Sequence, residues 1–291
     1  MEDAAVNGPI EPQGEPLPEL PRRGFLTTSL ITGLTLATTR VEAQAIHTAS
    51  DGLVAGDVRV PVADGVLPAY CARPEGGGPF PVVLVIEEVF GVHEYIRDVC
   101  RRFAHEGYLA VAPELYARQA DLTKMTDFEQ IIREVISKAP DATLLSDLDQ
   151  TAAWTHGQGG DPARLVVNGF CRGGRATWLY AAHNPNLRAA VAWYGPLGGQ
   201  ASPIQPHTAS SVAAAIHCPL LGLYGAKDDV IPVADVQAVA GAARRAGKTV
   251  EIVIYPEAGH AFHADYRPSY VKSAADDGWA RTLAWFRNYD A

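Results

Sequence analysis

One stretch, residues 165–182, constrains the fold of this chain more than any other part of the sequence. Residues 165–167 form an apolar run typical of a buried strand, and residues 176–182 are the apolar and small residues of a helix. Between them lies Gly169-x-Cys171-x-Gly173. A strand that turns straight into a helix leaves no space for side chains two positions before and after the central residue. The paired glycines therefore predict a sharp, strained turn at Cys171.

The cysteine at the centre of this turn occupies the position of a nucleophile. The spacing is that of the G-x-S-x-G elbow, with a thiol in place of the serine hydroxyl. The turn would raise Cys171 above the sheet and direct the N–H of Arg172 to the same place, as one donor of an oxyanion hole. The N-terminus of the following helix favours a thiolate. Taken alone, the motif also fits a buried structural cysteine beside a glycine-rich turn.

After residue 56 the chain alternates apolar, β-branched runs with segments of helical period. This alternation predicts a single α/β domain over residues 46–291, with a mostly parallel central sheet and helices on both faces. We expect an antiparallel hairpin at one edge and a surface excursion over residues 197–217. The predicted strands are 57–62, 67–72, 82–86, 108–112, 165–167, 188–194, 219–225 and 250–255, and the predicted helices are 95–107, 128–138, 143–154, 176–182, 233–246 and 271–289.

Composition and charge limit the classes of partner. The chain has 291 residues and a formal net charge of −9 at pH 7, and such an acidic surface argues against nucleic acid. The four cysteines show no C-x-x-C spacing and the histidines no metal-ligand spacing, so we expect neither a metal nor another cofactor. The remaining expectation is a monomer that acts on a small molecule.

Residues 1–45 have the organisation of a leader rather than of a folded domain. Arg22-Arg23-Gly24-Phe25-Leu26 carries twin arginines, a mildly apolar run covers residues 30–38, and Ala43-Gln44-Ala45 is an A-x-A cleavage pattern. Together they predict a twin-arginine signal, so the expected partner is that export machinery and the expected location is periplasmic or extracellular. The alternative is a disordered tail with chance arginines, in which case the protein would be cytoplasmic.

Two further candidate catalytic residues follow predicted strands. In α/β sheets, the loops at the carboxyl ends of the strands form the binding and catalytic sites. Asp228 comes three residues after the strand 219–225, and His260 lies in the loop after the strand 250–255. The order nucleophile, acid, histidine is that of the α/β-hydrolases, in which Asp228 would orient His260. Asp228 or Asp229 could also cap the following helix.

The sequence signals for other polar site residues are less specific. Glu87 and Glu88 directly follow the buried strand 82–86, where an unpaired charge is costly. The histidines on helical patterns are expected at the surface, whereas one histidine close to His260 is a candidate for lining the pocket. The first group is His93, His105 and His183, and the second is His263.

These motifs together resemble the dienelactone hydrolase (carboxymethylenebutenolidase) family, over almost all of the chain after the leader. The matching segments are Glu87-Glu88-Val89-Phe90-Gly91-Val92, Pro113-Glu114-Leu115-Tyr116-Ala117-Arg118-Gln119, Gly169-Phe170-Cys171-Arg172-Gly173-Gly174, Gly225-x-x-Asp228 and Tyr255-x-x-Ala258-Gly259-His260-x-Phe262. The resemblance implies an α/β-hydrolase fold, an ester hydrolase that needs no cofactor, and a Cys171–His260–Asp228 triad.

The resemblance also implies roles for groups around the triad. A glutamate at the position of Glu88 contacts the resting thiol and helps to form the thiolate, because a buried carboxylate can accept a proton. The expected oxyanion donors are the backbone N–H groups of Arg172 and Val89. A structural ion pair of Glu88 with Arg172 or Arg175 is the alternative.

For the substrate, Arg118 matches a family arginine that binds a carboxylate, for which a planar guanidinium is suited. The second such arginine of the family would stand at Ala264 in this chain, and Arg267 is near but not aligned. This departure leaves the substrate open. The pocket walls are expected to be Tyr116, Tyr194 and Phe262.

Three hypotheses follow. The favoured one is a cysteine-dependent hydrolase of activated esters or enol lactones, in which the thiolate attacks the carbonyl and His260 activates water against the thioester. The second is a general exported esterase or peptidase that accepts neutral substrates. The third is a non-catalytic α/β-hydrolase scaffold used for binding, which the ordered Cys171, Asp228 and His260 disfavour.

Overall fold

The structure is a computed structural model and describes residues 46–291. The predicted leader, with its twin arginines and its A-x-A pattern, lies outside the described residues. Within residues 46–291, no helix combines the length and the apolar composition that crossing a membrane would require.

The core of the fold is an eight-stranded sheet in the order β1-β2-β4-β3-β5-β6-β7-β8. The edge strands β1 and β2 form an antiparallel hairpin and β2 pairs antiparallel with β4, whereas all other neighbours are parallel. The strands are β1 (Leu53–Val62), β2 (Gly65–Pro74), β3 (Phe80–Ile86), β4 (Leu109–Pro113), β5 (Gly160–Phe170), β6 (Ala189–Trp193), β7 (Leu220–Gly225) and β8 (Val250–Tyr255). The predicted hairpin and mostly parallel sheet are confirmed.

Helices connect the parallel strands. They are α1 (Glu94–His105), α2 (Phe128–Glu134), α3 (Asp141–His156), α4 (Arg172–His183), α5 (Ala209–Val212), α6 (Val233–Arg245) and α7 (Lys272–Asn288). The central strands are buried along their whole apolar runs, which requires helices over both faces of the sheet. The apolar, β-branched runs of the sequence are strands for this reason.

Two predicted segments differ from the structure. The helix expected over residues 128–138 is interrupted, with α2 followed by a short 3-10 turn (Ile136–Lys138). The segment 197–217 is not only a surface excursion, because it contains α5, whose Ala209 is fully buried. A capping box at Thr208 begins this short helix, and its apolar residues pack into the core.

The carboxyl ends of the parallel strands lie at one edge of the sheet, and the polar motifs of the sequence follow them. β3 leads into the two glutamates, β5 into Cys171, β7 into the segment of Asp228, and β8 into the loop of His260. Because neighbouring parallel strands end side by side, residues far apart in the sequence meet here.

Candidate active site

The turn between β5 and α4 has the strained geometry that its glycines predict. Cys171 has φ 52° and ψ −116°, in the left-handed half of backbone space that a non-glycine residue rarely enters. A Cβ on Gly169 would come within 3.0 Å of the Gly173 carbonyl, and a Cβ on Gly173 would come equally close to the Ile86 carbonyl. The two glycines therefore allow β5, α4 and the end of β3 to approach one another.

Cys171, His260 and Asp228 form one chain of contacts. The His260 Nε2 lies 3.2 Å from the Cys171 Sγ, and the His260 Nδ1 lies 2.8 Å from the Asp228 Oδ2. The other oxygen, Oδ1, accepts the backbone N–H groups of Val230 and Ile231 at 2.9 and 3.1 Å. These two bonds hold the carboxylate in place. Asp228 therefore binds the turn before α6 and does not cap that helix, which begins after Pro232 without a side-chain cap.

The surroundings of His260 favour its protonated form. Burial acts to lower its pKa, but the Cys171 sulfur and the Asp228 carboxylate outweigh burial and raise the pKa to about 10. An imidazolium between a thiolate and a carboxylate is the charge arrangement in which a cysteine is a strong nucleophile.

Glu88 pairs with partners other than the two arginines considered from the sequence. Its Oε2 accepts a hydrogen bond from the Tyr266 hydroxyl at 2.7 Å and one from the Arg267 guanidinium at 3.2 Å. Arg175 pairs instead with Asp141, so the alternative of a Glu88 ion pair with Arg172 or Arg175 is wrong. The Oε1 of Glu88 has no partner within residues 46–291, and no hydrogen bond joins it to Cys171 there.

Arg267 is the buried cation of the site, and motif alignment did not identify it. Its side chain is 5% exposed, its Nε donates to the Tyr266 hydroxyl at 2.9 Å, and its guanidinium lies 4.9 Å from the centroid of the Phe90 ring. Burial opposes its charge, yet Glu88, Tyr266 and Cys171 hold its pKa above the ordinary value. The signal in the sequence was a lone arginine in the loop after His260, three residues beyond the position of the family's arginine.

His93, which was expected at the surface, is buried beside this cation. Its side chain is 8% exposed and its ring packs edge-on against Tyr266, at 4.9 Å between centroids. Burial lowers its pKa to about 4, so the ring is neutral at pH 7. Neither ring nitrogen has a hydrogen-bond partner in the described part of the chain. The helical pattern misplaced it because His93 precedes α1 and faces inward from the N-cap position.

Arg118 lies on the loop after β4, and both edges of its guanidinium are occupied. Asp64 accepts from its Nε at 2.7 Å, and Asp147 accepts from its Nη1 and Nη2 at 2.6 and 3.0 Å. Asp64 also accepts from Nη2. A substrate carboxylate would therefore have to displace one of these aspartates.

The aromatic residues proposed as pocket walls differ in their surroundings. Tyr194, whose backbone is strained at φ 36°, packs edge-on against His260 at 5.3 Å, and its buried hydroxyl has no partner within residues 46–291. Phe262 packs against Tyr194 and other core rings, and is fully buried. Tyr116 is buried as well. His263 is a core residue with 2% exposure, and its Nδ1 lies 2.7 Å from the Tyr95 hydroxyl.

The backbone N–H groups of the two expected oxyanion donors are unpaired among the described residues. No acceptor for the N–H of Val89 or of Arg172 is found among the residues that the structure describes. Arg172 is the first residue of α4, where a helix leaves its N–H groups unpaired. The Arg172 side chain turns away to Gln205, at 2.8 Å, and leaves the N-terminus of α4 uncovered by its own guanidinium.

One cluster in residues 46–291 has the spacing of metal ligands, and an arginine lies within it. The ligand atoms of His47, Glu94 and Asp98 lie within 4.8 Å of one another. The guanidinium of Arg101 donates to both carboxylates, so it supplies the positive charge that the cluster requires.

Glu87 gives a prediction for the pH dependence of stability. Its side chain is fully buried, and burial and the nearby Glu114 raise its pKa well above 4.5. The neutral form therefore contributes stability that is complete below pH 4.5 and is lost as the pH rises through the folded-state pKa. In this range the free energy of unfolding should fall by up to about 1.4 kcal/mol per pH unit. Glu87→Gln should remove this slope in urea unfolding at a series of pH values.

The control for this prediction is Glu75→Gln, which changes an exposed glutamate directly after β2. It should leave the slope of the wild type unchanged. An equal slope in the wild type and in Glu87→Gln would mean that Glu87 is already ionised in the folded protein at pH 5.

Comparison with known proteins gives the family. The family model for the dienelactone hydrolase family matches residues 67–290. A protein of Methylorubrum extorquens named "Putative carboxymethylenebutenolidase" is 56% identical over 272 residues, which cover 93% of this chain and 94% of the relative. A protein of the same name from Escherichia coli K12 is 48% identical over 265 residues, or 91% of this chain and 98% of the relative.

A solved structure agrees with these matches. The crystal structure described as "Putative Dienelactone Hydrolase from Klebsiella pneumoniae" superposes with a TM-score of 0.80 at 54% identity, over 81% of this chain and 99% of that one. The fold of the described residues is thus that of a solved relative. The chain belongs to the dienelactone hydrolase family, and it is a carboxylic ester hydrolase with an α/β-hydrolase fold.

Proposed function

We propose that this enzyme hydrolyses activated carboxylic esters or enol lactones through a Cys171–His260–Asp228 triad. The observation that carries the proposal is the position of His260, whose two ring nitrogens lie within hydrogen-bonding distance of Cys171 and Asp228. A non-catalytic scaffold has no need of a strained cysteine held against an imidazole and a carboxylate.

The reaction begins with attack of the Cys171 thiolate on the substrate carbonyl. The oxyanion that forms is stabilised by the N–H groups of Val89 and Arg172. When the C–O bond breaks, the His260 imidazolium gives its Nε2 proton to the leaving enol or alcohol, and a thioester remains on Cys171. The neutral imidazole then takes a proton from water, the hydroxide attacks the thioester, and the acid and the thiolate are released. No cofactor takes part in this sequence.

We further propose that the substrate carries a carboxylate and that Arg267 binds it. Arg267 is a buried cation, and the sulfur of Cys171 is among the groups that raise its pKa. Its present partner, Glu88, has one oxygen without a hydrogen bond in the described residues. A substrate carboxylate that takes the place of Glu88 on Arg267 would free Glu88 to accept the proton of those Cys171 side chains that are in the thiol form, which is the role that the family resemblance implies.

The test of the proposed function compares a dienelactone with p-nitrophenyl acetate, a neutral ester. We expect a higher kcat/KM for the dienelactone, and a loss of both activities in Cys171→Ala. Turnover of the neutral ester alone would favour the second hypothesis, a general esterase on the same triad. No Cys171-dependent turnover of either substrate would contradict the proposed function.

The two arginines can be distinguished by substrate charge. A dienelactone acid should have a lower KM than its methyl ester, because Arg267 loses its charged ligand in the ester. Arg118→Gln should change this KM ratio less than about threefold, since its guanidinium is already held by Asp64 and Asp147. Asp64→Asn is the matched variant, because it removes one of the two partners of Arg118. If Arg118 bound the substrate, this variant would have a lower KM for the dienelactone acid than the wild type.

A further inference from the structure

Ile46, the residue after the predicted cleavage pattern, contacts a buried acid. The backbone nitrogen of Ile46 donates to the Asp265 Oδ1 at 3.1 Å. The other oxygen of this carboxylate accepts from the Arg102 guanidinium at 2.6 Å. The Asp265 side chain is only 2% exposed, and within residues 46–291 each of its oxygens has one nitrogen donor.

The residues that follow Ile46 form hydrogen bonds with α1. The backbone and side chain of Thr48 donate to Asp98, and the Arg101 Nε donates to the Thr48 carbonyl at 2.8 Å. The His105 Nε2 lies 2.8 Å from the Ala49 carbonyl. Residues 46–49 therefore have a defined position on the domain. The contacts of Thr48 and Ala49 with α1 direct the nitrogen of Ile46 to Asp265.

We propose that the leader is cleaved between Ala45 and Ile46 and that the new α-ammonium group forms an ion pair with Asp265. The inference rests on the export signal proposed for residues 1–45. In the step itself, water adds across the amide bond of Ala45 and Ile46 under the action of an export-associated endopeptidase. A carboxylate leaves with the leader, and an ammonium group stays on the enzyme. The A-x-A pattern places the cut at the backbone nitrogen that donates to this buried carboxylate.

Cleavage adds a positive charge next to the Asp265 carboxylate. Before cleavage, a neutral amide and one arginine face Asp265, whose pKa burial raises and Arg102 lowers. After cleavage, a second positive charge lies at the oxygen that had only an amide donor. An ammonium group donates a charge-assisted hydrogen bond, which is stronger than that of an amide. Processing therefore stabilises this corner of the fold.

The corner adjoins the candidate active site. Asp265 directly precedes Tyr266 and Arg267, whose side chains both donate to Glu88. The same loop carries His260 five residues upstream. Anchoring Asp265 from two sides fixes the segment between the catalytic histidine and the buried cation, so Asp265 is a positioning residue that acts through its neighbours.

The ion pair has a defined pH dependence. An α-amino group ordinarily has a pKa of about 7.7–8.0, and the Asp265 carboxylate raises it. The stabilisation is complete below about pH 7.7 and is lost as the pH rises through the raised value. The other charged or titratable groups that act here are Asp98, Arg102 and Tyr95 from α1 and Tyr270 from the loop. Both tyrosines have raised pKa values, so the ammonium group loses its proton before either of them as the pH rises above about 8.

The experiment compares processed and unprocessed forms of the whole chain. The processed form is purified after export, and its first residue is identified by N-terminal sequencing and intact mass. The unprocessed form carries Arg22→Lys and Arg23→Lys, which prevent export and retain the leader. We expect Ile46 as the first residue, and an equilibrium constant of unfolding about 5- to 30-fold smaller for the processed form at pH 7. This ratio should approach one at pH 10.5.

Two variants separate the ion pair from other effects of processing. Asp265→Asn should abolish the difference between the two forms, whereas Asp276→Asn, in an exposed pair with Lys272, should not. Because Asp265→Asn also weakens the contact to Arg102, the second variant is chemical: acetylation of the Ile46 amine keeps an N–H donor and removes the charge. Acetylation should raise the unfolding constant to that of the unprocessed form.

Several results would overturn the proposal. A first residue other than Ile46 would remove its basis, as would equal unfolding constants for acetylated and free processed enzyme. Esterase activity is measured on the same samples and reports separately on the triad. An enzyme that is active and begins elsewhere would leave the proposed function intact while refuting the ion pair.

Discussion

Cys171→Ala is expected to lower kcat for ester or lactone hydrolysis by at least about 10⁴-fold, because the variant has no atom to form the thioester. Cys171→Ser should also lose most of the activity, since a serine hydroxyl ionises far less readily than a thiol beside His260. The measurement is single-turnover and steady-state kinetics on the same substrate, with folding checked by circular dichroism. Near wild-type turnover in the serine variant would contradict a thiolate mechanism.

The other cysteines supply the control. Cys71, Cys100 and Cys218 are free and buried, and burial raises the pKa of Cys71 and of Cys218 to about 12. Cys218→Ala should therefore keep full activity. A short pulse of iodoacetamide at pH 7, followed by peptide mass spectrometry, should label Cys171 before the other three. Labelling of a buried cysteine in preference to Cys171 would count against the ion pair of Cys171 with His260.

Arg267→Met is expected to reduce the free energy of unfolding by about 3–5 kcal/mol. Among the described residues, the variant leaves the buried Glu88 carboxylate with the Tyr266 hydroxyl as its remaining hydrogen-bond donor. Removing one partner of a buried ion pair leaves the other charge buried without compensation, which is strongly destabilising. Urea unfolding at pH 7 measures the change. A loss below about 1 kcal/mol would contradict a buried ion pair between Glu88 and Arg267.

A double variant provides the matched control. Glu88→Gln in the Arg267→Met background removes the unpaired charge, and should restore about half or more of the lost stability. Substrate binding should not recover, because the cation is still missing. Recovery of stability without recovery of KM for an acidic lactone would separate the structural role of the pair from the proposed role of Arg267 in binding.

Much of the fold could be predicted because its signals are local. β-Branched apolar runs and helical periods decided the strands and helices, and the burial of both faces of a parallel sheet makes such runs almost continuous. The prediction was less accurate where the signal is weak. Residues 197–217 carry Gly, Ser and Pro, which favoured a surface excursion, yet the four-residue helix α5 within them buries Ala209 in the core.

Some residues of the candidate active site could likewise be predicted from the sequence, and others could not. Cys171, Asp228 and His260 could be named from the sequence because an elbow needs glycines at fixed spacing and the chemistry needs three residue types in one order. Arg267 and His93 could not be placed. Their roles depend on which side chains meet in three dimensions, and a loop can bring an arginine to Glu88 from a position three residues away from the aligned one.

The sequence by itself thus determined the order of the secondary structure, the strained turn at Cys171 and the three residues of the proposed triad, because each is specified by residue type and local spacing. Only the tertiary structure decided which arginine neutralises Glu88, that both edges of Arg118 are occupied, and that the nitrogen of Ile46 faces Asp265. Pairing of charges depends on distance and burial, and both arise only when distant segments pack together.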